Sequence, residues 1–215
     1  MRAIPTKPIE AIEPDLRREG CVRVVIGGRI ALIVPADAAR AAGIEIGSVL
    51  RAEVVHRLEL AADEDAAYRT ATRLLEGRPF ARKDLARRLA LKGHPLEVIE
   101  AALDRAQHFG YLDDVRFATY YVESRSARGR GPTRLRRELA RLGVARDLID
   151  AALASAAEEP AAAQARIRKL LARRMPQLAG LSRPSARRRL LAYLARRGYT
   201  GETARRVVAE EIGSS

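Results

Sequence analysis

Residues 135–153 read LRRELARLGVARDLIDAAL, and the same register recurs at two other places in the chain. Residues 85–103 read LARRLALKGHPLEVIEAAL, and residues 190–208 read LLAYLARRGYTGETARRVV. Each block has leucines at its first and fifth positions, one helical turn apart on the same face. Its ninth position is glycine, which enters the left-handed conformation at a helix C-terminus at little cost. The three blocks therefore predict three helix–glycine–helix units.

A further helix is predicted before each pair, at residues 65–76, 114–126 and 160–174. Helices of this length are marginal alone, so each unit must bury an apolar face against its neighbour. The fold class predicted is mainly α, with tandem three-helix repeats in an elongated, curved array. The expected boundaries are 63–112 for repeat 1, 113–158 for repeat 2 and 159–213 for the basic repeat 3.

Residues 1–60 have a different pattern and form a small N-terminal extension that contains a β-hairpin. Two apolar, β-branched runs at 22–26 and 29–34 flank Gly27-Gly28, which predicts two strands and a tight turn. Residues 36–42 are typical of a short helix that ends at Gly43. Residues 49–55 fit either a strand or the start of a helix. An irregular first stretch is expected from its prolines: Pro5, Pro8 and Pro14.

The formal net charge of +13 is concentrated near the C-terminus, where residues 159–215 hold thirteen Lys/Arg and four Asp/Glu. This asymmetry favours an anionic partner, either nucleic acid or an acidic protein surface. The alternative is a solvated face in an arginine-rich protein, since only four of the forty basic residues are lysines. The absence of a long apolar run, of a secretory N-terminus and of a second cysteine to pair with Cys21 predicts a cytoplasmic protein.

No pattern of catalytic, cofactor-binding or metal-binding residues is recognisable, so we expect no enzyme, no cofactor and no small-molecule substrate. Asp113-Asp114 is interpreted as a helix cap plus a dipole-stabilising carboxylate. The sequence Gly129-Arg130-Gly131 lacks the Gly-Lys-Ser/Thr ending of a P-loop and is interpreted as a flexible basic linker. Cys21 and the three histidines have no metal-ligand spacing; these histidines are His56, His94 and His108.

Four aromatic residues cluster between the first two repeats: Tyr111, Phe117, Tyr120 and Tyr121. They fit either a platform that stacks on nucleobases or a packed core. Their helical spacing favours the core.

Basic side chains of repeats 2 and 3 are the candidate contacts to an anionic partner, because a basic helical surface suits backbone-directed nucleic-acid binding. Three belong to or follow the linker, five lie on the first helix of repeat 3, and five lie on its second helix. They are Arg128, Arg130, Arg134, Arg166, Arg168, Lys169, Arg173, Arg174, Arg187, Arg188, Arg189, Arg196 and Arg197.

Residues 110–118 read GYLDDVRFA, and this string resembles the RecX family. The resemblance extends over about residues 63–211 and includes RPF at 78–80, LGV at 142–144 and LARRGY at 194–199. The sequence departs from the family pattern at Pro79-Phe80, where a serine is expected to open the next helix.

The resemblance implies a protein of tandem three-helix repeats that modulates the RecA recombinase, and we expect this protein to be a monomer. Family members usually inhibit RecA and are thought to lie in the helical groove of the RecA–DNA filament. The implied processes are homologous recombination, DNA repair and the SOS response. Two alternatives remain open: a helical protein that binds DNA directly without RecA, and a scaffold for acidic proteins.

Overall fold

The computed structural model describes residues 7–213, which fold as two compact units. Unit 1 extends to Pro79 and includes Leu85–Leu112. Unit 2 contains Phe80–Asp84 and the described chain from Asp113 onward. In this described part, no helix is both long enough and apolar enough to cross a membrane.

Unit 1 begins with a three-stranded antiparallel sheet in the order β1-β2-β3. The strands are β1 (Ile9–Pro14), β2 (Cys21–Ile26) and β3 (Arg29–Pro35). The predicted hairpin is confirmed: Gly27 and Gly28 both have positive φ, at 63° and 71°, as the tight turn requires. The expectation of an irregular first stretch is wrong for β1, whereas Pro5 lies outside the described residues. An edge strand tolerates Pro14 at its end, where the missing N–H interrupts no ladder.

Two helices follow the sheet, α1 (Ala36–Ala41) and α2 (Ala52–Gly77). Helix α1 is the predicted short helix, and Gly43 follows it with φ +63°. The open choice at residues 49–55 is settled in favour of a helix start at Ala52, thirteen residues before the predicted start of this helix at Asp65. Val55 and Leu58 are buried in the core beneath the sheet, so tertiary packing extends the helix over residues that have high strand propensity.

The rest of the described chain is helical. The helices are α3 (Arg82–Leu91), α4 (Leu96–His108), α5 (Asp114–Ser126), α6 (Pro132–Leu142), α7 (Arg146–Ser155), α8 (Pro160–Ala172), α9 (Arg183–Arg197) and α10 (Glu202–Gly213). A short 3-10 turn, Met175–Leu178, lies between α8 and α9. The three-helix order is therefore α2–α4, α5–α7 and α8–α10.

The repeat register is confirmed by burial and by backbone conformation. The leading leucines of all three blocks are at most 1% exposed: Leu85, Leu89, Leu135, Leu139, Leu190 and Leu194. The three repeat glycines, Gly93, Gly143 and Gly198, have φ of 89°, 88° and 91°. Each glycine therefore ends its helix in the left-handed conformation, as the spacing predicts.

Unit 2 contains two apolar cores. One joins α5, α6 and α7 and includes Phe117, Leu139 and Ile149. The other joins α8, α9 and α10 and includes Leu171 and Leu194. Because both cores use the inner faces of their helices, the basic side chains are left to the outer faces.

Candidate basic interface

All thirteen candidate contact residues lie in unit 2, but several of them hold the fold together. Arg130 donates to Glu138 at 2.6 Å, and Arg134 donates to the other oxygen of this carboxylate at 2.8 Å. The hydroxyl of Tyr121 adds a third hydrogen bond at 3.0 Å. Arg134 also donates to the carbonyl of Arg196 at 3.3 Å. The charges of Arg130 and Arg134 are therefore largely used inside the protein.

The environment of Glu138 shows how firmly these cations are held. Burial alone would raise the pKa of this carboxyl group, since desolvation penalises its charged form. The hydrogen bonds from Arg134, Arg130 and Tyr121 outweigh burial, and the pKa of Glu138 is lowered. Glu138 thus stays ionised and keeps both guanidinium groups in place.

Two further cations have carboxylate partners. Arg166 donates to the carbonyl of Ser126 at 3.1 Å and also hydrogen-bonds Glu158. Arg168 contacts Glu210 at 2.7 Å and Glu211 at 3.6 Å. Because these carboxylates offset their charges, Arg166 and Arg168 are poor candidates for contacts to an anionic partner.

Two cations lie against the ring of Tyr193. The guanidinium carbons of Arg174 and Arg197 are 5.9 Å and 4.9 Å from the ring centroid. Arg174 also donates to the side chain of Gln177. Neither cation forms an ion pair with a carboxylate among residues 7–213.

The remaining seven candidates are exposed, and their side chains form no hydrogen bond or ion pair within residues 7–213. They are Arg128, Lys169, Arg173, Arg187, Arg188, Arg189 and Arg196. The structure thus separates thirteen basic residues of similar appearance into six that contribute to internal contacts and seven that are free to bind.

A groove in unit 2 brings three of the free cations together. One wall is the end of α5 and the turn after it, with Ser126, Ala127, Arg128 and Gly129. The other wall is α8 and its C-terminus, with Ala165, Arg166, Lys169, Leu170 and Arg173, and Arg197 completes the lining. The volume of this groove, named here the α5–α8 groove, is about 480 Å³. Among the residues that the structure describes, five cations and no carboxylate line it.

The arginines of α9 are arranged differently. Arg187, Arg188 and Arg189 are exposed next to Leu190, which is fully buried. None of the three is among the residues that line the α5–α8 groove. They therefore form a separate basic surface on α9.

The Gly129–Gly131 segment is not the flexible linker that its composition predicts. The amide of Gly131 donates to the carbonyl of Arg197 at 2.7 Å, and Thr133 donates to that of Gly198 at 3.3 Å. A Cβ on Gly131 would lie 2.5 Å from the carbonyl carbon of Gly198. This close approach holds the start of α6 against the end of α9, which the sequence pattern did not reveal because the two segments are far apart in the chain.

Asp113 and Asp114 act at two different helices. Asp113 caps α5 by accepting from the amides of Val115 at 2.8 Å and Arg116 at 3.0 Å, as predicted. Asp114 accepts from the amide of Arg82 at 2.7 Å and so caps α3. The interpretation of Asp114 as a simple dipole-stabilising charge was therefore incomplete. The Asp114 carboxylate thus supplies the cap of α3, where the serine expected from the family pattern is absent.

The core interpretation of the aromatic cluster is right for two of its four residues. Phe117 is buried, and Tyr121 packs against the same core with its ring centroid 5.7 Å from that of Phe117. Tyr111 and Tyr120 are 59% and 58% exposed, so the prediction was wrong for them. Phe117 and Tyr121 are four residues apart and share the inner face of α5, whereas Tyr120 is rotated by about 100° from Tyr121 and Tyr111 precedes the helix.

Unit 1 contains a polar cluster that sequence reasoning missed. The Cys21 thiol lies 3.6 Å from Asp65, and Arg69 lies 2.5 Å from the same carboxylate oxygen. Burial, followed by the negative charge of Asp65, raises the pKa of Cys21, so the thiol stays protonated. Among residues 7–213, no three His, Cys, Asp or Glu side chains are grouped as a metal site requires.

Three family models match the chain in order. They describe the first three-helix domain of RecX at residues 67–105, the second at 113–153 and the third at 162–208. The second and third matches cover most of the helices that supply the basic surfaces described above.

Curated relatives agree with these models. The chain is 42% identical to regulatory protein RecX of Thermobifida fusca over 142 residues, which are 65% of this chain and 75% of the relative. It is 36% identical to regulatory protein RecX of Halorhodospira halophila over 154 residues, which are 70% of this chain and 91% of the relative.

Two solved structures have a similar fold. The crystal structure of a regulatory protein RecX superposes with a TM-score of 0.79 at 20% identity and covers 97% of this chain and 100% of that chain. RecX from Lactobacillus salivarius superposes with a TM-score of 0.62 at 15% identity and covers 71% and 98%. At these identities the likeness supports the fold, whereas the relatives and the three domain models establish the family. The chain belongs to the RecX family.

Proposed function

We propose that this protein is a cytoplasmic, monomeric modulator of the RecA recombinase that inhibits RecA by binding the RecA–DNA filament. Its proposed role is in DNA repair, homologous recombination and the SOS response. Membership in a family of regulatory proteins supports this proposal. The observation that carries it is the set of seven exposed, unpaired cations on unit 2, which suits a large anionic surface.

The proposed mechanism is occupancy of the filament, which blocks its growth or favours its disassembly. Such inhibition is stoichiometric, because each bound molecule blocks one site or one filament end. It also weakens with salt, since every phosphate or carboxylate contact releases counterions or is screened.

The test is the single-stranded-DNA-dependent ATPase of RecA, measured while this protein is titrated at fixed RecA and DNA. We expect inhibition that saturates at a constant ratio to RecA and decreases as salt is raised. An ATPase rate that stays unchanged with the protein in excess over RecA would show that the proposed function is wrong.

A second candidate function is direct action on DNA without RecA, and the cations of the α5–α8 groove favour it. The two functions predict different effects of added DNA on the inhibition of the RecA ATPase. If the protein only competes for DNA, extra single-stranded DNA relieves the inhibition completely. If it binds the filament, inhibition follows the amount of filament and persists when DNA is in excess.

A further inference from the structure

We infer that the α5–α8 groove is a binding site for the sugar–phosphate backbone of nucleic acid, with Arg128, Lys169 and Arg173 as its phosphate contacts. This inference rests on the proposed function, because it assigns DNA, and not RecA, as the part of the filament that this groove touches. It also selects three residues from thirteen candidates.

The first argument for this site is the charge of the side chains that line the groove. Arg128, Lys169 and Arg173 are exposed and form no ion pair within residues 7–213. A phosphate that binds them therefore displaces no carboxylate. Arg168 differs, because it would first have to leave Glu210. Free cations around a groove without a carboxylate produce a local positive potential that attracts a polyanion.

The second argument is the position of these three cations on the two walls of the groove. Lys169 and Arg173 are four residues apart on α8 and at its end, so they lie on the same side of the helix. Arg128 approaches from the opposite wall. Gly129 has φ +77°, and a Cβ there would lie 3.2 Å from both Leu170 and Arg197. The turn therefore packs directly on α8 and holds Arg128 at the edge of the groove.

The lining also indicates how the nucleic acid is recognised. Within residues 7–213, none of the side chains that line the groove is aromatic, so these residues provide no ring on which a base can stack. Its uncharged members are small or aliphatic: Ser126, Ala127, Gly129, Ala165 and Leu170. We therefore expect binding to phosphates without sequence preference. An acidic peptide would be expected to bury apolar anchors, for which this groove has no large apolar pocket.

The experiment compares two charge reversals of equal size in the full chain. The groove variant is Arg128→Glu, Lys169→Glu and Arg173→Glu, and the matched control is Arg183→Glu, Arg205→Glu and Arg206→Glu, three exposed arginines of α9 and α10 that are not among the thirteen candidates. Both change the net charge equally. The probe is a fluorescein-labelled oligothymidylate without RecA, with affinity measured by fluorescence anisotropy over a range of salt concentrations.

Three lost phosphate contacts should lower the affinity of the groove variant roughly 100-fold at about 0.1 M salt, since each contributes a salt exponent of about 0.7. The slope of log affinity against log salt concentration should become less steep by about 2. The affinity of the control variant should fall less than about 10-fold, because its substituted charges lie outside the groove and salt screens their effect on DNA bound there. Circular dichroism checks the fold, and the corresponding Gln variants replace the Glu variants if these misfold.

The outcomes separate the groove from the proposed function. Equal losses in both variants, or wild-type affinity in the groove variant, would overturn the inference. Stronger displacement of the protein by polyglutamate than by unlabelled DNA would also overturn it, in favour of an acidic protein partner. A groove variant with selective loss supports the inference even if wild-type protein fails to inhibit the RecA ATPase, a result that would reject only the proposed function.

Discussion

Replacement of Gly198 by alanine tests how the repeats of unit 2 are joined. Gly198 ends α9 with φ +91°, and its ideal Cβ would lie 2.4 Å from the Cβ of Arg134 and 2.5 Å from the amide nitrogen of Arg134. The carbonyl oxygen of Gly131 would be 2.7 Å away. The added methyl group therefore meets backbone atoms, which cannot rotate aside as a flexible side chain does.

The expected destabilisation has three parts. An alanine with positive φ costs about 1–2 kcal/mol. Forcing the start of α6 away from α9 adds about 1–3 kcal/mol for overpacking. It also weakens the 2.7 Å bond from Gly131 to Arg197, which contributes about 1 kcal/mol. Gly198→Ala should therefore lower the free energy of unfolding by about 3–6 kcal/mol.

Gly201 is the matched control because it has φ +92°, is in the same unit, and a Cβ there meets nothing within 4 Å. Gly201→Ala should cost only the conformational part, about 1–2 kcal/mol. Urea denaturation followed by circular dichroism compares the variants, and amide hydrogen exchange at Gly131 reports the local bond. Equal free energies for Gly198→Ala and Gly201→Ala, with unchanged exchange at Gly131, would refute the close-approach argument.

Three further predictions concern the cores and the buried polar groups. Leu139→Ala should lower the free energy of unfolding by about 2–5 kcal/mol, whereas the exposed Arg137→Ala should change it by less than about 0.5 kcal/mol; a thermal melt of Leu139→Ala that matches the wild type contradicts the repeat register. The pKa of Glu138 is lowered in the folded protein. Its ionised carboxylate therefore stabilises the fold at pH values above the normal carboxyl pKa, and this stabilisation is lost as the pH falls through the lowered pKa. Glu138→Gln should therefore destabilise at pH about 7 and match the wild type in acid, and a pH-independent difference in urea midpoints would exclude this mechanism. Cys21 should react with iodoacetamide much more slowly in the native than in the denatured protein, because burial and then Asp65 raise its pKa; equal rates would show that the thiol is accessible.

The candidate site was only partly predictable from the sequence. Charge counting placed most of the basic surplus in residues 159–215, which include ten of the thirteen candidate contacts, and the exposure of Arg187–Arg189 is consistent with the buried position of Leu190. Charge counting did not distinguish Arg130, which binds Glu138, from Arg128, which is free. That distinction depends on where each long side chain meets a carboxylate, and the position of that carboxylate is set by helix packing.

The helix–glycine–helix register follows from the sequence alone, because the spacing of Leu135, Leu139 and Gly143 reflects two local rules. Residues four apart share a helical face, and glycine is favoured where φ is positive. The folded structure is needed to show that the start of α6 packs against Gly198, that Asp114 caps α3, and that Arg128 faces Lys169 across a groove. These features join segments far apart in the chain, and local propensity carries no information about such pairings.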